Sequence, residues 1–254
     1  MQRIDFINQL GDHWALATAQ RRHARLMNTT MMVTLLGAAV SDGLESGQVV
    51  SGVGGQYNFV AMAHELADAR SLLLLRATRT TDSEVSSNIV WQYGHVTIPR
   101  HLRDIVITEY GVADLRAQSD AEVIKRLLAI ADSRFQPALL AAAKQHGKLA
   151  ADYELPAAQR QNLPERLTES LAPFAQHLPD FPFGTDFTPD ELTMLEALEK
   201  LKHASENPLE LVALAFRSLF THKEIPAGYL ERLGLDGAQT LRKTLLRRLF
   251  MGNL

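Results

Sequence analysis

Ser71–Leu75 and Ile105–Thr108 are short runs in which apolar side chains follow one another without the alternation of a half-exposed strand. Strands of that kind are buried on both faces, and chains bury them so chiefly in parallel sheets covered by helices. Around them, Met31–Leu36 and Gln48–Val50 read as further strands and Tyr57–Leu66 as a helix. Segments 121–131 and 134–146 carry apolar residues at helical spacing, with Val123, Ile124, Leu127, Leu128 and Ile130 forming the stripe in the first. The alternation predicts an α/β domain of three layers over residues 1–150. From about residue 152 the β-rich runs stop. Thr188-Pro189-Asp190-Glu191 sets an N-cap, an N1 proline and an N3 glutamate, and Asn207-Pro208-Leu209-Glu210 repeats the arrangement. Pro164, Pro173, Pro179, Pro182 and Pro226 divide short helices, so residues 151–254 are predicted to form an all-helical C-terminal appendix.

The chain of 254 residues is 46% hydrophobic, enough to build its own core, and contains no cysteine. Disulfides, a thiolate nucleophile and cysteine-bound zinc are thereby excluded. Nine histidines are present without metal-ligand spacing: His95 and His101 flank Pro99, no HExxH occurs, and His64 lies within the predicted helix. No metal is expected. A net charge of −3 gives no case for nucleic acid or an anionic membrane surface as partner. The apolar runs Ala138–Ala143 and Leu211–Phe216 are too short to span a bilayer, and Arg3, Asp5, Asn8, Asp12 and His13 interrupt the N-terminal segment. The expected location is the cytoplasm. Near the C-terminus, Leu241, Leu245 and Leu249 form a stripe flanked by Arg242, Lys243, Arg247 and Arg248, which suits a core-packed helix with a solvated basic face or a membrane-surface or partner helix.

Two stretches carry candidate chemistry. Ser51-Gly52-Val53-Gly54-Gly55-Gln56 stands between a strand signal and a helix signal, where backbone N–H groups and a helix dipole can meet an anion or a developing oxyanion. A plain βα turn has the same look. Tyr57 occupies the place of the last glycine of a dinucleotide fingerprint, no Gly-Lys-Ser/Thr follows, and Ser51 has no G-x-S-x-G context. The second stretch is Val106-Ile107-Thr108-Glu109-Tyr110-Gly111-Val112-Ala113-Asp114-Leu115-Arg116, whose strand ends in Thr-Glu before a glycine. That puts Glu109 at the carboxyl edge of the sheet, where open α/β folds bind ligands, although a helix cap or a pair with Arg116 is an equally simple role.

Taken together, SGVGGQ-Y-NF, VITEYGVADLR and DSRFQPALL, with Met27-Asn28-Thr29-Thr30 upstream, resemble the C-terminal domain of the acetyl-CoA hydrolase/transferase family, class I coenzyme A transferases. The resemblance covers residues 25–150. It implies acyl-CoA as substrate, a carboxylate or water as acceptor, and an acyl-glutamyl anhydride intermediate. On the matching positions, Asn28 corresponds to an active-site asparagine, Gly54 and Gly55 to the oxyanion loop, and Glu109 to a glutamate near the reacting centre. Gly52, Gln56, Asn58 and Arg70 are the candidate contacts to coenzyme A. Gly55→Val is expected to lower the acyl-transfer rate strongly while leaving the fold intact.

In that family the nucleophilic glutamate precedes the asparagine segment, and residues 1–26 contain only Asp5 and Asp12 as acids. The resemblance therefore implies an N-terminal CoA-transferase domain or subunit as partner. Departures from the family pattern are Asn58 for an aspartate, Ala117-Gln118 for Gly-Lys, and Ala67-Asp68-Ala69-Arg70 where a lysine is expected. They support an alternative, a catalytically silent CoA-binding or interaction domain. A sugar-phosphate isomerase on the same fold is a third reading, against which stands the lack of a lysine near the glycine loop.

Overall fold

A computed structural model of the chain describes residues 4–81, 83–206, 227–234 and 240–251. It divides into two compact units, Met1–Phe174 and Ala175–Leu254.

The first unit opens with two short helices, α1 (Asp5–Asn8) and α2 (Trp14–Gln20), and then enters its main sheet. That sheet has the order β1 (Arg25–Thr29), β4 (Arg70–Leu74), β8 (Ile105–Thr108), β9 (Gly111–Asp114). The first three strands run parallel and β9 returns antiparallel to β8. A second sheet places β2 (Met32–Thr34) between β3 (Ala39–Val40) and β7 (Ile89–Val90), and β5 (Thr78–Thr81) pairs with β6 (Glu84–Ser87) as a separate ribbon. Helix α3 (Gln56–Glu65) packs against β1 and β4, and α4 (Asp120–Ala129) against β9. Helix α5 (Gln136–Gln145) packs on α4, and α6 (Pro164–Leu171) follows within the same unit. The chain thus adopts the mixed α/β fold that the alternation of apolar strands and helices predicts.

The core of this unit explains the order. Leu73 and Val106 of the sheet are buried together with Val33, Val60 and the stripe Val123, Ile124, Leu127 and Leu128 of α4. Each such side chain contributes roughly 1.5–3 kcal/mol on burial. Ser119 caps α4 by accepting the N–H of Glu122. The opposite face of β4 and β8 is only half-buried at Leu72, Leu74, Ile105 and Ile107, so these apolar runs are fully covered on one side rather than two. A smaller cluster joins Leu10, Ala17, Met62, Ala63, Leu66 and Ala69. Residues 151–174 belong to this unit: Leu155 is buried in the main core, and the Asn162 amide donates to the carbonyls of Ala129 and Ala131, each at 2.8 Å.

Two expectations change. Gln48–Val50 is not a strand beyond one bridge between Gly43 and Val49, because Val49 (74% exposed) and Val50 run over the surface with no sheet to enter. The strand over residues 31–36 shortens to Met32–Thr34, and the chain before it already forms β1.

The regular structure described in the second unit is helical apart from one bridge between Pro182 and Gly184, with α7 (Pro189–Glu206), α8 (Ala227–Arg232) and α9 (Leu241–Met251). Thr188 and Glu191 form the reciprocal cap read from the sequence: Glu191 N–H donates to the Thr188 hydroxyl at 3.3 Å, and Thr188 N–H to the Glu191 carboxylate at 2.8 Å. Met194, Ala197, Tyr229 and Phe250 make its core. Leu249 is buried, whereas the side chains of Leu241 and Leu245, the Asn207–Glu210 cap and the Leu211–Phe216 run lie outside the described residues. No helix among the described residues is long and apolar enough to cross a membrane.

Candidate functional site

Parallel strands aim their carboxyl ends the same way, and register aligns Thr29 of β1, Leu74 of β4 and Ile107 of β8 along one edge. Ligands of open α/β sheets gather there. At the β1 end of this edge lies a cleft of about 370 Å³, lined by Asn28, Thr30, Ser41, Gly52, Gly55 and Gln56 among others. The Asn28 Nδ2 is buried in it without a hydrogen-bond partner among the described residues. A buried amide with no partner costs on the order of 1–3 kcal/mol, so this donor is poised for something that supplies an acceptor.

The glycine loop forms the other wall. Helix α3 opens from it with Gly55 as N-cap, and the Gln56 side chain donates to the Thr29 carbonyl at 3.0 Å, pinning the helix start to the end of β1. Among the described residues no acceptor takes the N–H groups of residues 52–55, so four consecutive amides are free beside a helix N-terminus. Gly54 holds φ +59° with open space around it. Gly55 differs: a Cβ there would stand 2.7 Å from Asn8 Nδ2 and 3.1 Å from Phe59 Cε2. A side chain at Gly55 therefore forces the end of the Asn8 side chain and the Phe59 ring to shift, a demand that the expectation of an undisturbed fold leaves out.

Glu109 follows β8 directly and is exposed at the carboxyl edge, as its place after the apolar run predicts. Two strand spacings, about 10 Å, separate its strand from that of Asn28. It neither caps a helix nor meets Arg116: its carboxylate accepts the N–H of Ala77 at 2.8 Å, tying down the loop after β4. Arg116 instead pairs with Asp114, at 2.5 Å, and with Asp104, at 3.4 Å. The Arg116 hydrogen bond holds the Asp114 carboxyl down at about 2, against its ordinary 3.8. Beside Glu109, burial and the Asp132 carboxylate push the Tyr110 hydroxyl well above its ordinary value.

The structure thus brings Asn28, Gly52, Gly55 and Gln56 to one cleft, with Gly54 on the exposed outer turn of the loop. Asn58 lies in the first turn of α3, half-buried. Arg70 opens β4, at the amino edge of the sheet and about 13 Å along the strand from the carboxyl edge. Its guanidinium donates to the neighbouring Ala69 carbonyl. Two of the histidines are hydrogen-bonded within the fold: His64 bonds the Val60 carbonyl of its own helix and His95 bonds Asp42. No cluster of three metal-ligating side chains occurs among the described residues.

The family model described as "Acetyl-CoA hydrolase/transferase C-terminal domain" matches residues 1–143. A protein named "Probable butyrate:acetyl-CoA coenzyme A-transferase" from Syntrophomonas wolfei is 30% identical over 122 residues, covering 47% of this chain and 27% of its own length. The 4-hydroxybutyrate coenzyme A transferase of Clostridium kluyveri is 28% identical over 138 residues, covering 54% of this chain and 31% of itself. Among solved structures, RipA from Yersinia pestis is 29% identical with a TM-score of 0.49 over 57% of this chain and 32% of that one. A RipA variant reaches a TM-score of 0.50 at 29% identity over 58% and 32%. The chain spans about a third or less of the length of these relatives.

Proposed function

The chain belongs to the acetyl-CoA hydrolase/transferase C-terminal domain family, and from that premise we propose that its carboxyl-edge cleft is the oxyanion and CoA-facing side of an acyl-CoA transfer site. The observation that carries this reading is that Gly52, Val53 and Gly55, whose amides have no acceptor among the described residues, line one cleft with the unpartnered Asn28 Nδ2. Donors fixed before the reaction stabilise charge that develops on a thioester oxygen without reorganising. In the proposed reaction a glutamate carboxylate adds to the thioester carbonyl, and the tetrahedral oxyanion is held by the loop amides and Asn28. CoA then leaves as thiolate, giving an acyl-glutamyl anhydride; either water hydrolyses it to the free acid and the glutamate, or the thiolate returns to the glutamyl carbonyl, releasing the acyl group as its carboxylate and leaving a glutamyl-CoA thioester from which an acceptor carboxylate receives CoA by the reverse steps.

Glu109 is not that nucleophile in this reading; its bond to Ala77 makes it a support of the site edge. The nucleophile is proposed to come from an N-terminal CoA-transferase domain, on the same polypeptide or a second chain. The test is acetyl-CoA turnover by the 254 residues alone, expected to be absent, and by the chain assembled with a glutamate-bearing half encoded beside it, expected to be present. Turnover by the 254 residues alone overturns the assignment of the nucleophile, and an assembled protein that neither binds nor turns over acetyl-CoA overturns the site.

One observation favours a second reading, a CoA-binding domain without catalysis. No charged side chain among the described residues lines the cleft, and Arg70 stands at the far edge of the sheet from it. Binding of acetyl-CoA by the assembled protein without any acyl transfer would support this alternative.

A further inference from the structure

The glycine loop is fastened at its end by Gln56 on Thr29, and at its start by a different device. The Asp42 backbone carbonyl accepts the N–H of Val50 at 2.8 Å and of Ser51 at 3.3 Å. Its carboxylate accepts from His95 Nε2 at 2.9 Å and from the Thr97 hydroxyl. The Thr97 hydroxyl in turn accepts the Ser41 N–H at 2.8 Å, and the Ser51 hydroxyl donates to the Ser41 carbonyl at 3.1 Å. Three residues further on, the Glu45 carboxylate receives the Gly94 N–H at 2.5 Å and Glu45 gives its own N–H to the Tyr93 hydroxyl at 3.2 Å. Gly43 lets the His95 ring lie flat against the loop: a Cβ there would stand 3.0 Å from its Cε1 and Nε2. The Thr97 hydroxyl and the His95 ring together hold the Asp42 carboxyl below its ordinary value.

We propose that Asp42, His95 and Thr97 form a clasp that positions the glycine loop at the cleft. They are positioning residues: Asp42 grips residues 50 and 51 through its carbonyl, and His95 and Thr97 fix Asp42 through its side chain. The loop needs such a clasp because residues 52–55 donate to no acceptor among the described residues, so its shape is imposed from its two ends. The consequence for acyl-CoA rests on the function proposed above, whereas the clasp itself stands on these contacts.

The test is amide hydrogen exchange on the 254-residue chain, comparing His95→Ala and Thr97→Val with the conservative His95→Gln and Thr97→Ser. Removing a donor from a carboxylate should make the amides of Val50 and Ser51, which the Asp42 carbonyl holds, exchange about ten- to hundredfold faster while β4 and α4 keep their protection. The conservative variants keep a donor for Asp42 and should return most of that protection. Unchanged exchange at Val50 and Ser51 in both His95→Ala and Thr97→Val overturns the proposal, as does equal acceleration across the whole first unit. Binding of acetyl-CoA to the same proteins, assembled with the glutamate-bearing half, separates the two readings. Local exchange changes in the variants, with no acetyl-CoA binding by the unsubstituted assembly, keep the clasp and remove the site. Tight binding that survives in both variants keeps the site and overturns the clasp as its positioner.

Discussion

Three neighbouring glycines serve three different needs. Gly54 supplies a left-handed φ of +59°, Gly55 leaves room for Asn8 and Phe59, and Gly52 does neither, since it has no positive φ and nothing lies within 4 Å of where its Cβ would stand. Gly52 is therefore the position that tests the cleft without disturbing the fold. Gly52→Val should leave the melting temperature of the chain nearly unchanged and weaken acetyl-CoA binding by the assembled protein at least tenfold, read by calorimetry. Gly55→Val, by contrast, should cost about 1–3 kcal/mol of stability in denaturant melts, through overpacking. Ala117 shows the reverse situation. It is an exposed alanine at φ +52°, where the family resemblance leads one to expect glycine. A Cβ in that backbone region costs roughly 1–2 kcal/mol, part of which glycine's greater unfolded-state freedom offsets, so Ala117→Gly should stabilise the chain by about 0.5–1 kcal/mol in chemical denaturation. Asn8 and His95 carry no mark of their roles in the sequence, because each acts on a partner about fifty positions away through loop packing.

At the level of elements, β9 ends in a carboxylate that matters for acid stability. Asp114 titrates at about 2 in the folded protein against 3.8 ordinarily, so its contribution is present above about pH 4 and is lost as the pH falls toward 2. The half-exposed pair with Arg116 is screened, so the effect is modest. Thermal melts of the wild type and Asp114→Asn should differ at pH 6 and converge by pH 2. For α7, Thr188→Ala removes the hydroxyl that accepts the Glu191 N–H and leaves the backbone half of the reciprocal cap, and should cost about 1 kcal/mol, seen as faster amide exchange in its first turn. Elements with strong local signals were legible in the chain itself: Ile105–Thr108 is β8 unchanged, Tyr57–Leu66 moves by one residue to Gln56–Glu65, and the Thr188 cap stands where its residues put it. Elements defined by their neighbours were not. β1 alternates exposed and half-buried residues at a sheet edge, and β5 and β6 are polar ribbons whose pairing partner is the only reason they are strands. The site was legible in part: the glycine motif and Asn28 do share a cleft. Arg70 shows a signal that was available, since a residue just before a parallel strand lies at its amino edge, away from the ligand side.

For the molecule as a whole, the core of the first unit includes residues that follow the last β-rich run. Leu155 is buried, and Asn162 satisfies carbonyls at the end of α4 and just beyond it. A chain ending at residue 174 should fold with a cooperative thermal transition, whereas one ending at residue 150 should lose several degrees of melting temperature or fail to fold. The main sheet also has an asymmetry with a practical meaning. β1, the strand that carries Asn28, pairs only with β4 among the described residues, so one of its sides is open. A strand held on one side is among the first parts of a sheet to open. A molecule that fills the cleft adds ties to that weakly held border, and linkage turns its binding into heat resistance that grows with dose, by RT ln(1 + [L]/Kd). Occupancy of the cleft then becomes visible as a rising melting point, letting a panel of acyl-CoA compounds be ranked as ligands before any turnover has been observed.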